Sequence, residues 1–365
     1  MHYKYPIARP DLGGNTKAYV NAALESGWVS SLGPYVVELE NAWAKAIGTK
    51  YAVACSSGTT ALTLALAALK IGPGDEVIVP DFTMIATAWA VTYLGATPVF
   101  VDCGQDMNIN VDLIESAITP RTKAILPVHI YGRPCNMEAI MKISHDYNIP
   151  VVEDACEAHG GWDAKEGRLG GIGLIGCFSL YSNKIITAGE GGLITTNDEN
   201  IYKQLKHLRG MAFDPKHTFL HKKVAYNYRM PNLSAAVALA QVERMDEFLA
   251  KRREILGWYD RELVGKTVAR PTGSVLWMYD VICSSKKERD EIMERCLKNG
   301  VECRYVFKPM SHQPMYKKNL LYLQRQGEKS MSMAAMFAER GFYLPVYTDL
   351  TEENVKEICS YVKGN

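Results

Sequence analysis

The 365-residue sequence contains no C-x-x-C pair, no H-E-x-x-H motif and almost no excess of charge. Its nine cysteines are scattered and odd in number, which argues against a disulfide framework and a zinc site and predicts a reducing compartment. The formal net charge is +1, so the charge balance does not indicate binding to nucleic acid or to an acidic membrane surface. We expect neither of these partners and no metal ion.

Long hydrophobic runs are absent as well. The longest apolar region, residues 85–101, is interrupted by Thr, Tyr, Gly and Pro, and it predicts a buried helix, a turn and a strand instead of a membrane span. The N-terminal stretch MHYKYPIARPDLGG lacks the apolar centre of a signal peptide, so we expect a cytoplasmic protein. No G-x-S-x-G motif occurs, so a hydrolase built on a nucleophile elbow is not supported.

The composition, with 47% hydrophobic and 22% charged residues, is typical of a globular protein with a large core. The length predicts two domains, a large one over residues 1–250 and a small C-terminal one over 251–365. Between residues 51 and 196, short apolar strands alternate with helices, which predicts an α/β domain with a mostly parallel sheet. Residues 234–255 predict one long amphipathic helix that ends near Gly257, and an α+β domain follows.

Polar residues follow several of the predicted strands. In parallel sheets, ligands bind at the carboxyl ends of the strands. The residues at these ends are Ser57, Asp102, His129, Asp154 and the segment 182–184. Their shared placement predicts a site at this edge of the sheet.

The segment S-S-G-T-T at 56–60 lies between a predicted strand and a predicted helix. Free N–H groups at a helix N-terminus, next to a glycine that admits close approach, bind phosphate. Ser and Thr at this position are equally consistent with an ordinary helix N-cap. Asp154 follows the predicted strand 151–153, where it is able to hold a pyridine nitrogen protonated or to cap the next segment.

Lys184 follows the predicted strand 177–181, in a turn rich in Ser, Thr and Gly. Lysine is rarely buried without a partner, and burial favours the neutral amine that Schiff-base chemistry requires. A surface lysine in a loop is the alternative. A phosphate cradle, a ring-nitrogen carboxylate, a hydroxyl-bearing strand and a lysine, in this order on one sheet, are the components of a site for pyridoxal 5'-phosphate (PLP).

Residues 171–176 match G-x-G-x-x-G, but they follow a polar loop and lead into a strand. A dinucleotide-binding motif follows a strand and opens a helix, so we interpret this segment as a turn. His129 and His159 stand near strand ends, where they are able to touch a substrate, although each alone is more typical of a structural histidine.

The chain resembles the DegT/DnrJ/EryC1/StrS sugar aminotransferases over nearly its whole length. The resemblance rests on the segments S-S-G-T-T-A-L, G-P-G-D-E-V-I-V-P, P-V-H-I-Y-G, V-E-D-A-C-E-A-H-G, F-S-L-Y-S-N-K, G-E-G-G and Y-N-Y-R-M. It implies the type I fold of PLP-dependent transferases, that of aspartate aminotransferase, with a large domain and a smaller α+β domain. Within the family the chain is most similar to the 4-amino branch, the perosamine and viosamine synthases.

The resemblance also implies roles for single residues. Lys184 is expected to bind PLP covalently and to carry protons between cofactor and substrate, and Asp154 is expected to pair with the pyridinium nitrogen. The other expected cofactor contacts are Ser57, Gly58, Thr59, Met84, Glu157, Ser179 and Asn227. Weaker candidates for contact with a sugar nucleotide are Trp28, Ser30, His159, Arg229 and His312. Asn227 is expected to serve the neighbouring subunit, which implies a homodimer with a shared active site.

Two of these positions depart from the pattern of the family. Glu157 stands where the family often has glutamine, near the hydroxyl side of the cofactor. Met84 stands where the family often has an aromatic residue that stacks on the cofactor ring. Because a thioether also packs on an aromatic face, we expect a weaker stack and an intact site.

The implied reaction moves the amino group of L-glutamate to C4 of a nucleotide-linked 4-keto-6-deoxyhexose. Pyridoxamine 5'-phosphate (PMP) is the intermediate cofactor form, and 2-oxoglutarate and a 4-amino-4,6-dideoxy sugar are the products. A 3-aminotransferase acting on a 3-keto sugar nucleotide and a non-catalytic PLP-binding regulator are the alternatives. Sugar 3-dehydratases of the same fold have histidine in place of Lys184, so the lysine argues against them. The sequence leaves open whether the nucleotide is UDP, GDP or dTDP.

Overall fold

The computed structural model of the chain describes residues 3–214, 218–320 and 332–364. The α-helices in these residues are α1 (Thr16–Glu25), α2 (Pro34–Ile47), α3 (Gly58–Ala68), α4 (Ile85–Tyr93), α5 (Ile114–Ala117), α6 (Met137–Tyr147), α7 (Glu199–Arg209), α8 (Asn232–Val242), α9 (Met245–Glu262), α10 (Lys286–Lys298), α11 (Met333–Arg340) and α12 (Glu352–Lys363). The strands are β1 (Tyr51–Cys55), β2 (Glu76–Pro80), β3 (Thr97–Val101), β4 (Thr122–Ile125), β5 (Val152–Asp154), β6 (Trp162–Asp163), β7 (Gly167–Arg168), β8 (Ile175–Ser179), β9 (Gly192–Thr196), β10 (Tyr279–Ile282), β11 (Arg304–Tyr305) and β12 (Gly341–Leu344). Short 3₁₀ helices cover Val111–Leu113, Ile130–Gly132, Met310–His312 and Pro314–Leu320.

The central sheet has the strand order β3-β2-β4-β5-β8-β9-β1. Strands β3, β2 and β4 pair in parallel, as do β5 and β8. Parallel bridges from Ile125 to Val151 and from Val128 to Asp154 join β4 to β5. Strand β9 is antiparallel to both of its neighbours, β8 and β1. The prediction of a mostly parallel sheet is therefore confirmed.

Strand β2 shows why continuous apolar runs form this sheet. Val77, Ile78 and Val79 are fully buried. Successive side chains point to opposite faces of a strand. Val77 and Val79 accordingly join one hydrophobic cluster with Leu62 of α3, and Ile78 joins another with Ile140 of α6. A sheet covered on both faces leaves its strand ends as the accessible edge, which is where ligands bind.

A third hydrophobic cluster lies in the C-terminal part of the chain, around the sheet β10-β12-β11 and helices α10 and α12. It also takes in Tyr5 from the N-terminal segment. The N–H of Tyr5 donates to the carbonyl of Gly300 at 3.0 Å, and its hydroxyl donates to Glu357 at 2.6 Å. The domain boundary between residues 250 and 251 lies within α9 and remains a prediction.

The prediction of a single helix over residues 234–255 is wrong. The chain forms two helices, α8 and α9, which are separated at Glu243 and Arg244. The guanidinium of Arg244 binds both carboxylate oxygens of Asp11, each at 2.9 Å. Hydrophobic periodicity does not predict this contact, because Asp11 lies in a distant segment of the sequence. Gly257 does not end the helix, since it lies inside α9.

The strand that the sequence predicts up to His129 ends early, at Ile125. The following turn contains Tyr131 at φ 51° and ψ 31° and Gly132 at φ 80°. A Cβ atom on Gly132 would lie 2.2 Å from the carbonyl oxygen of Val275, so this position requires glycine. The tight turn therefore redirects the chain at the edge of the sheet.

Three global features of the chain bear on the expectations from its composition. All nine cysteines are unpaired thiols. In the described residues, no helix is long and apolar enough to cross a bilayer. No cluster of three or more His, Cys, Asp or Glu side chains suited to a metal ion occurs within the same ranges.

Candidate active site

A cavity of about 370 Å³ lies at the carboxyl ends of β5 and β8, against the N-terminus of α3. Eight of the predicted cofactor contacts line it, namely Ser57, Gly58, Thr59, Met84, Asp154, Glu157, Ser179 and Lys184. These residues are spread over more than a hundred positions of sequence, and the topology of the sheet brings them together. The predicted roles themselves remain proposals.

The N-terminus of α3 forms one wall of the cavity. Ser57 caps this helix, since its hydroxyl accepts the N–H of Thr60 at 3.2 Å. Helix geometry leaves the N–H groups of Gly58 and Thr59 without intrahelical acceptors, and no other described group accepts them. A Cβ on Gly58 would lie 2.7 Å from Cβ of Ser179. The N-cap is therefore present, two N–H groups remain free to bind an anion, and glycine at position 58 lets the helix approach β8.

The carboxylate of Asp154 is buried and held from two sides. One oxygen accepts the hydroxyl of Thr87 at 2.9 Å, and the other accepts the N–H of Cys156 at 3.2 Å. Hydrogen bonds of this kind fix the orientation of a carboxylate. Asp154 is therefore suited to receive a charge-assisted hydrogen bond from a protonated ring nitrogen.

Glu157 is buried on the same side of the cavity. One of its carboxylate oxygens accepts the N–H of Tyr131 at 2.8 Å. Burial raises the pKa of the Glu157 carboxyl to about 7, although the charge of Lys184 and the Tyr131 N–H act in the opposite direction. Near neutral pH this carboxyl is able to donate or accept a proton, whereas a glutamine cannot.

The side chain of Lys184 lies on the face of Trp277, with its Nζ 3.8 Å from the ring centroid. The indole N–H of Trp277 donates to the carbonyl of Asn183 at 2.9 Å. No ion pair with a carboxylate engages Lys184 in the described part of the chain. The amide oxygen of Asn183 is buried without a hydrogen-bond partner. The amine is thus available for a covalent bond, and the neighbouring amide oxygen lacks a donor.

Together these groups fit PLP. Two free N–H groups are able to bind a phosphate. A buried carboxylate is able to accept a hydrogen bond from a protonated ring nitrogen, and an amine without an ion-pair partner is able to bond to an aldehyde. The unpartnered oxygen of Asn183 is a further place where a bound molecule can supply the missing donor.

Other predicted residues lie outside this cavity. Asn227 and Arg229 sit next to one another, and Arg229 Nε donates to the Asn227 oxygen at 2.9 Å. Trp28 and Ser30 lie in an exposed turn, where Asn232 donates to their carbonyls at 2.6 and 3.0 Å. The structure therefore places these four side chains at the surface, apart from the cavity of their own chain.

His159 is in the hydrophobic core. Its ring packs edge-on against Trp43 and Phe178, and Nδ1 accepts the N–H of Ile186 at 3.2 Å. Burial lowers its pKa to about 3, with the charges of Lys184 and Arg252 adding to the effect. The histidine is therefore neutral and is not part of the cavity wall.

His129 is likewise buried, and both ring nitrogens are hydrogen-bonded, Nε2 with Glu153 and Nδ1 with the N–H of Cys135. The structural interpretation of this histidine is confirmed. Residues 171–174 form the predicted turn, but β8 begins at Ile175, two residues before the predicted strand. Glu153 accepts the N–H groups of Ile172 and Gly173 and so occupies donors that a dinucleotide phosphate would need.

His312 is exposed at the end of the 3₁₀ helix Met310–His312. The carboxyl group of Asp81 holds this turn, since it accepts the N–H of Ser311 at 2.7 Å and the Ser311 hydroxyl at 2.9 Å. Burial raises the pKa of Asp81 to about 6. His312 is thus on an anchored segment but outside the cavity lining.

Sequence reasoning missed the wall that the C-terminal part of the chain contributes. Its members are Trp277, Arg304, Phe307 and Tyr343. None of them follows a strand of the central sheet. The available hints were Trp277, the first residue of a strand that the sequence predicts over 277–283, and Tyr343, which lies in the segment R-G-F-Y-L-P at 340–345 that shares in the family resemblance.

Comparison with known proteins gives matches over nearly the whole chain. The sequence profile of the DegT/DnrJ/EryC1/StrS aminotransferase family matches residues 10–363. GDP-perosamine synthase from Caulobacter vibrioides is 42% identical over 364 residues, which covers 97% of this chain and 96% of that protein. GDP-perosamine synthase from Escherichia coli O157:H7 is 38% identical over 362 residues, which covers 98% and 97%.

The structure is also similar to solved structures. The PMP-form and the PLP-form of a putative sugar aminotransferase from Streptococcus pneumoniae each give a TM-score of 0.88 at 28% identity. The match covers 99% of this chain and 97% and 98% of those chains. The predicted type I fold is thereby confirmed.

Proposed function

The chain belongs to the DegT/DnrJ/EryC1/StrS aminotransferase family and is a PLP-dependent sugar aminotransferase, and from this premise we propose that it moves the amino group of L-glutamate to C4 of a nucleotide-linked 4-keto-6-deoxyhexose. The products are 2-oxoglutarate and a 4-amino-4,6-dideoxy sugar nucleotide. The names of the relatives favour GDP as the nucleotide and perosamine as the sugar. The observation that carries the proposal is the cavity shared by Lys184, Asp154 and the N-terminus of α3.

Three groups of this chain are proposed to hold the cofactor. The N–H groups of Gly58 and Thr59 receive its phosphate, and the carboxylate of Asp154 receives the proton on the ring nitrogen. Met84, which lines the cavity, packs on the ring. When bound, PLP supplies an electron sink and, as PMP, stores the amino group between the two halves of the reaction.

Lys184 is the proposed proton carrier. Its Nζ takes a proton from the α-carbon of glutamate and, in the second half of the reaction, delivers a proton to C4 of the sugar. The face of Trp277 stabilises the amine while it carries the positive charge. Trp277, Phe307 and Tyr343 provide aromatic walls that reduce access of water to the reacting atoms.

We further propose a homodimer in which each subunit completes the site of the other. Asn227, Trp28 and Arg229 lie at the surface of their own chain, where a partner is able to receive them. Leu32 is 77% exposed and Val37 is 54% exposed, so both offer apolar surface that a partner is able to cover. Mixing Lys184→Ala with Asn227→Ala subunits tests the shared site, because only the mixed dimer contains one intact site.

The compartment is proposed to be the cytoplasm. Nine unpaired thiols are typical of proteins kept under reducing conditions. Cell fractionation with an antibody against the native protein tests this proposal.

The reaction is tested with purified protein, PLP, L-glutamate and a panel of nucleotide-linked keto sugars, followed by mass spectrometry. We expect replacement of the C4 carbonyl oxygen by an amine in the GDP-linked 4-keto-6-deoxy sugar, with an equal amount of 2-oxoglutarate. Amination of a 3-keto sugar alone would contradict the 4-amino assignment. If the protein releases no 2-oxoglutarate with any of the sugars, a non-catalytic PLP-binding regulator would be the better interpretation.

A further inference from the structure

Tyr131 adopts a backbone conformation that is uncommon for a residue with a side chain. Its φ of 51° and ψ of 31° lie in the left-handed region. Its ring is buried and packs against Trp277 and Phe307, at centroid distances of 5.7 and 5.1 Å. In this conformation its N–H donates to Glu157 at 2.8 Å. The strained residue therefore makes a direct contact with a carboxyl group of the cavity wall.

A buried group of charges holds this turn from behind. Arg270 Nη1 donates to the carbonyl oxygen of Tyr131 at 3.1 Å, and its Nη2 donates to Asp280 Oδ1 at 2.8 Å. Arg133 Nη2 donates to the same Asp280 oxygen at 2.7 Å. The side chains of Arg133 and Asp280 are fully buried, and that of Arg270 is 7% exposed. We call Arg133, Asp280 and Arg270 the charge cluster.

The charge cluster is held in place because both oxygens of its carboxylate, that of Asp280, accept hydrogen bonds. The second oxygen of Asp280 accepts the hydroxyl of Thr267 at 3.0 Å and the N–H of Val268 at 3.1 Å. Arg133 also donates to the carbonyl of Val268 at 2.9 Å. Asp280 belongs to β10 of the C-terminal sheet, so the cluster connects that sheet to the turn after β4.

Resting on the proposed function, and on the expected place of Glu157 near the hydroxyl side of the cofactor, we propose that Arg270 and Tyr131 are positioning residues for Glu157. The charge cluster fixes the turn, the turn presents the N–H of Tyr131, and this N–H fixes one oxygen of Glu157 so that the other faces the cavity. The charged or titratable groups that face Glu157 are Lys184, Asp154, Tyr343 and the phenol of Tyr131 itself.

Arg270→Met is the informative substitution. It removes the bonds to the carbonyls of Tyr131 and Met278 and to Asp280. The ion pair of Arg133 with Asp280 remains, so no buried charge loses its last partner. Arg289→Met is the matched control, since the Arg289 side chain is also 7% exposed, pairs with Asp290 and donates to the carbonyl of Ala338. That arginine lies in α10, outside the cavity lining.

The test is the visible absorption of bound PLP in the holoenzyme, titrated against pH. We expect Arg270→Met to shift the midpoint in the same direction as Glu157→Gln, and the double variant to shift no further than Glu157→Gln alone. The kcat of Arg270→Met should fall about tenfold with the KM for glutamate little changed, as for a displaced group that acts in the transition state. Arg289→Met should titrate as wild type does.

Arg270→Lys provides a second variant if the methionine protein does not fold, because lysine keeps the charge but cannot bond Asp280 and the Tyr131 carbonyl in the same fork. A wild-type midpoint in both folded Arg270 variants, with only a lower melting temperature, would overturn the inference. If wild-type protein shows no absorption from bound PLP, the proposed function fails at that step instead. The two failures are therefore distinguishable.

Discussion

The amine of Lys184 lies 3.8 Å above the centre of the Trp277 ring, although 93 positions separate the two residues in the sequence. Trp277 is itself tied to the residue before the lysine, through its indole N–H and the carbonyl of Asn183. The lysine and the ring that supports it are therefore connected through two contacts. A cation on an aromatic face in a desolvated site is stabilised by about 2 kcal/mol.

Trp277→Leu should slow the half-reaction with glutamate by roughly tenfold, because the ring no longer stabilises the charged amine. Trp277→Phe should retain part of the rate, since it keeps an aromatic face. Stopped-flow absorbance of the holoenzyme mixed with glutamate measures both. Trp258→Leu is the control, as Lys251 lies 4.5 Å over that ring away from the cavity. Equal rates for the Leu and Phe variants of Trp277 would count against the role of the aromatic face.

Lys184→Ala should abolish covalent attachment of PLP and lower transamination on the order of 10³-fold or more, since both the nucleophile and the proton carrier are lost. Borohydride reduction followed by peptide mass spectrometry locates the attachment. Lys203→Ala, at a surface lysine paired with Glu199, should behave as wild type. A reduced PLP adduct on another lysine of the wild-type protein would refute the assignment.

Gly58→Ala should weaken PLP binding by about tenfold or more, because the new methyl group would lie 2.7 Å from Cβ of Ser179 and push α3 away from β8. Equilibrium binding of PLP, followed by fluorescence quenching, measures the loss. Gly72→Ala is the matched control, since its nearest neighbour would be 4.0 Å away. Unchanged affinity in Gly58→Ala would show that the phosphate binds elsewhere.

The unfolding free energy of the cofactor-free protein should fall as pH rises from about 4.5 to 7 on account of Glu157. Burial raises the pKa of this carboxyl to about 7 in the folded protein, so the folded state binds more protons than the unfolded chain across that interval. The contribution is on the order of 3 kcal/mol at most. Urea unfolding at pH 5 and pH 8 should show a smaller difference for Glu157→Gln than for wild type. Glu190→Gln, at an exposed residue of the cavity lining, should keep the wild-type difference in unfolding free energy between the two pH values. Equal differences in all three proteins would contradict the assignment of this pH dependence to Glu157.

Gly257→Ala should raise the free energy of unfolding by about 0.5–1 kcal/mol, because Gly257 lies inside α9 and alanine is the better helix former. The nearest atom to the new methyl group, Nη1 of Arg261, would be 3.8 Å away. Chemical denaturation of the two proteins measures the gain. A loss of stability would instead support the helix end that the sequence predicts at this position.

Much of the site follows from sequence because parallel strands place their carboxyl ends at one edge. Asp154, Lys184 and Gly58 each follow or adjoin a strand of that kind, so order along the chain is enough to group them. Trp277 and Tyr343 reach the same cavity from the C-terminal sheet, and their approach depends on how two hydrophobic clusters meet. Neither periodicity nor a local motif encodes that arrangement.

The same limit explains why the predicted bounds of the long helix and of β4 are wrong. The break between α8 and α9 depends on Arg244 and the distant Asp11. The early end of β4 depends on donors from the C-terminal part of the chain. Arg270 donates to the carbonyl of Tyr131 at 3.1 Å, and the N–H of Val275 donates to the carbonyl of Gly132 at 2.9 Å. Local propensity cannot anticipate any of these contacts, because each joins segments more than a hundred residues apart.

The packing of Tyr5 in the C-terminal hydrophobic cluster has a consequence for the order of events during synthesis. Tyr5 leaves the ribosome long before its hydrogen-bond partners Gly300 and Glu357. All strands of the central sheet precede residue 200 and are available before these partners. We therefore expect the nascent chain to carry a formed central sheet, with Tyr5 still without its partners, until residues 300–357 have left the ribosome.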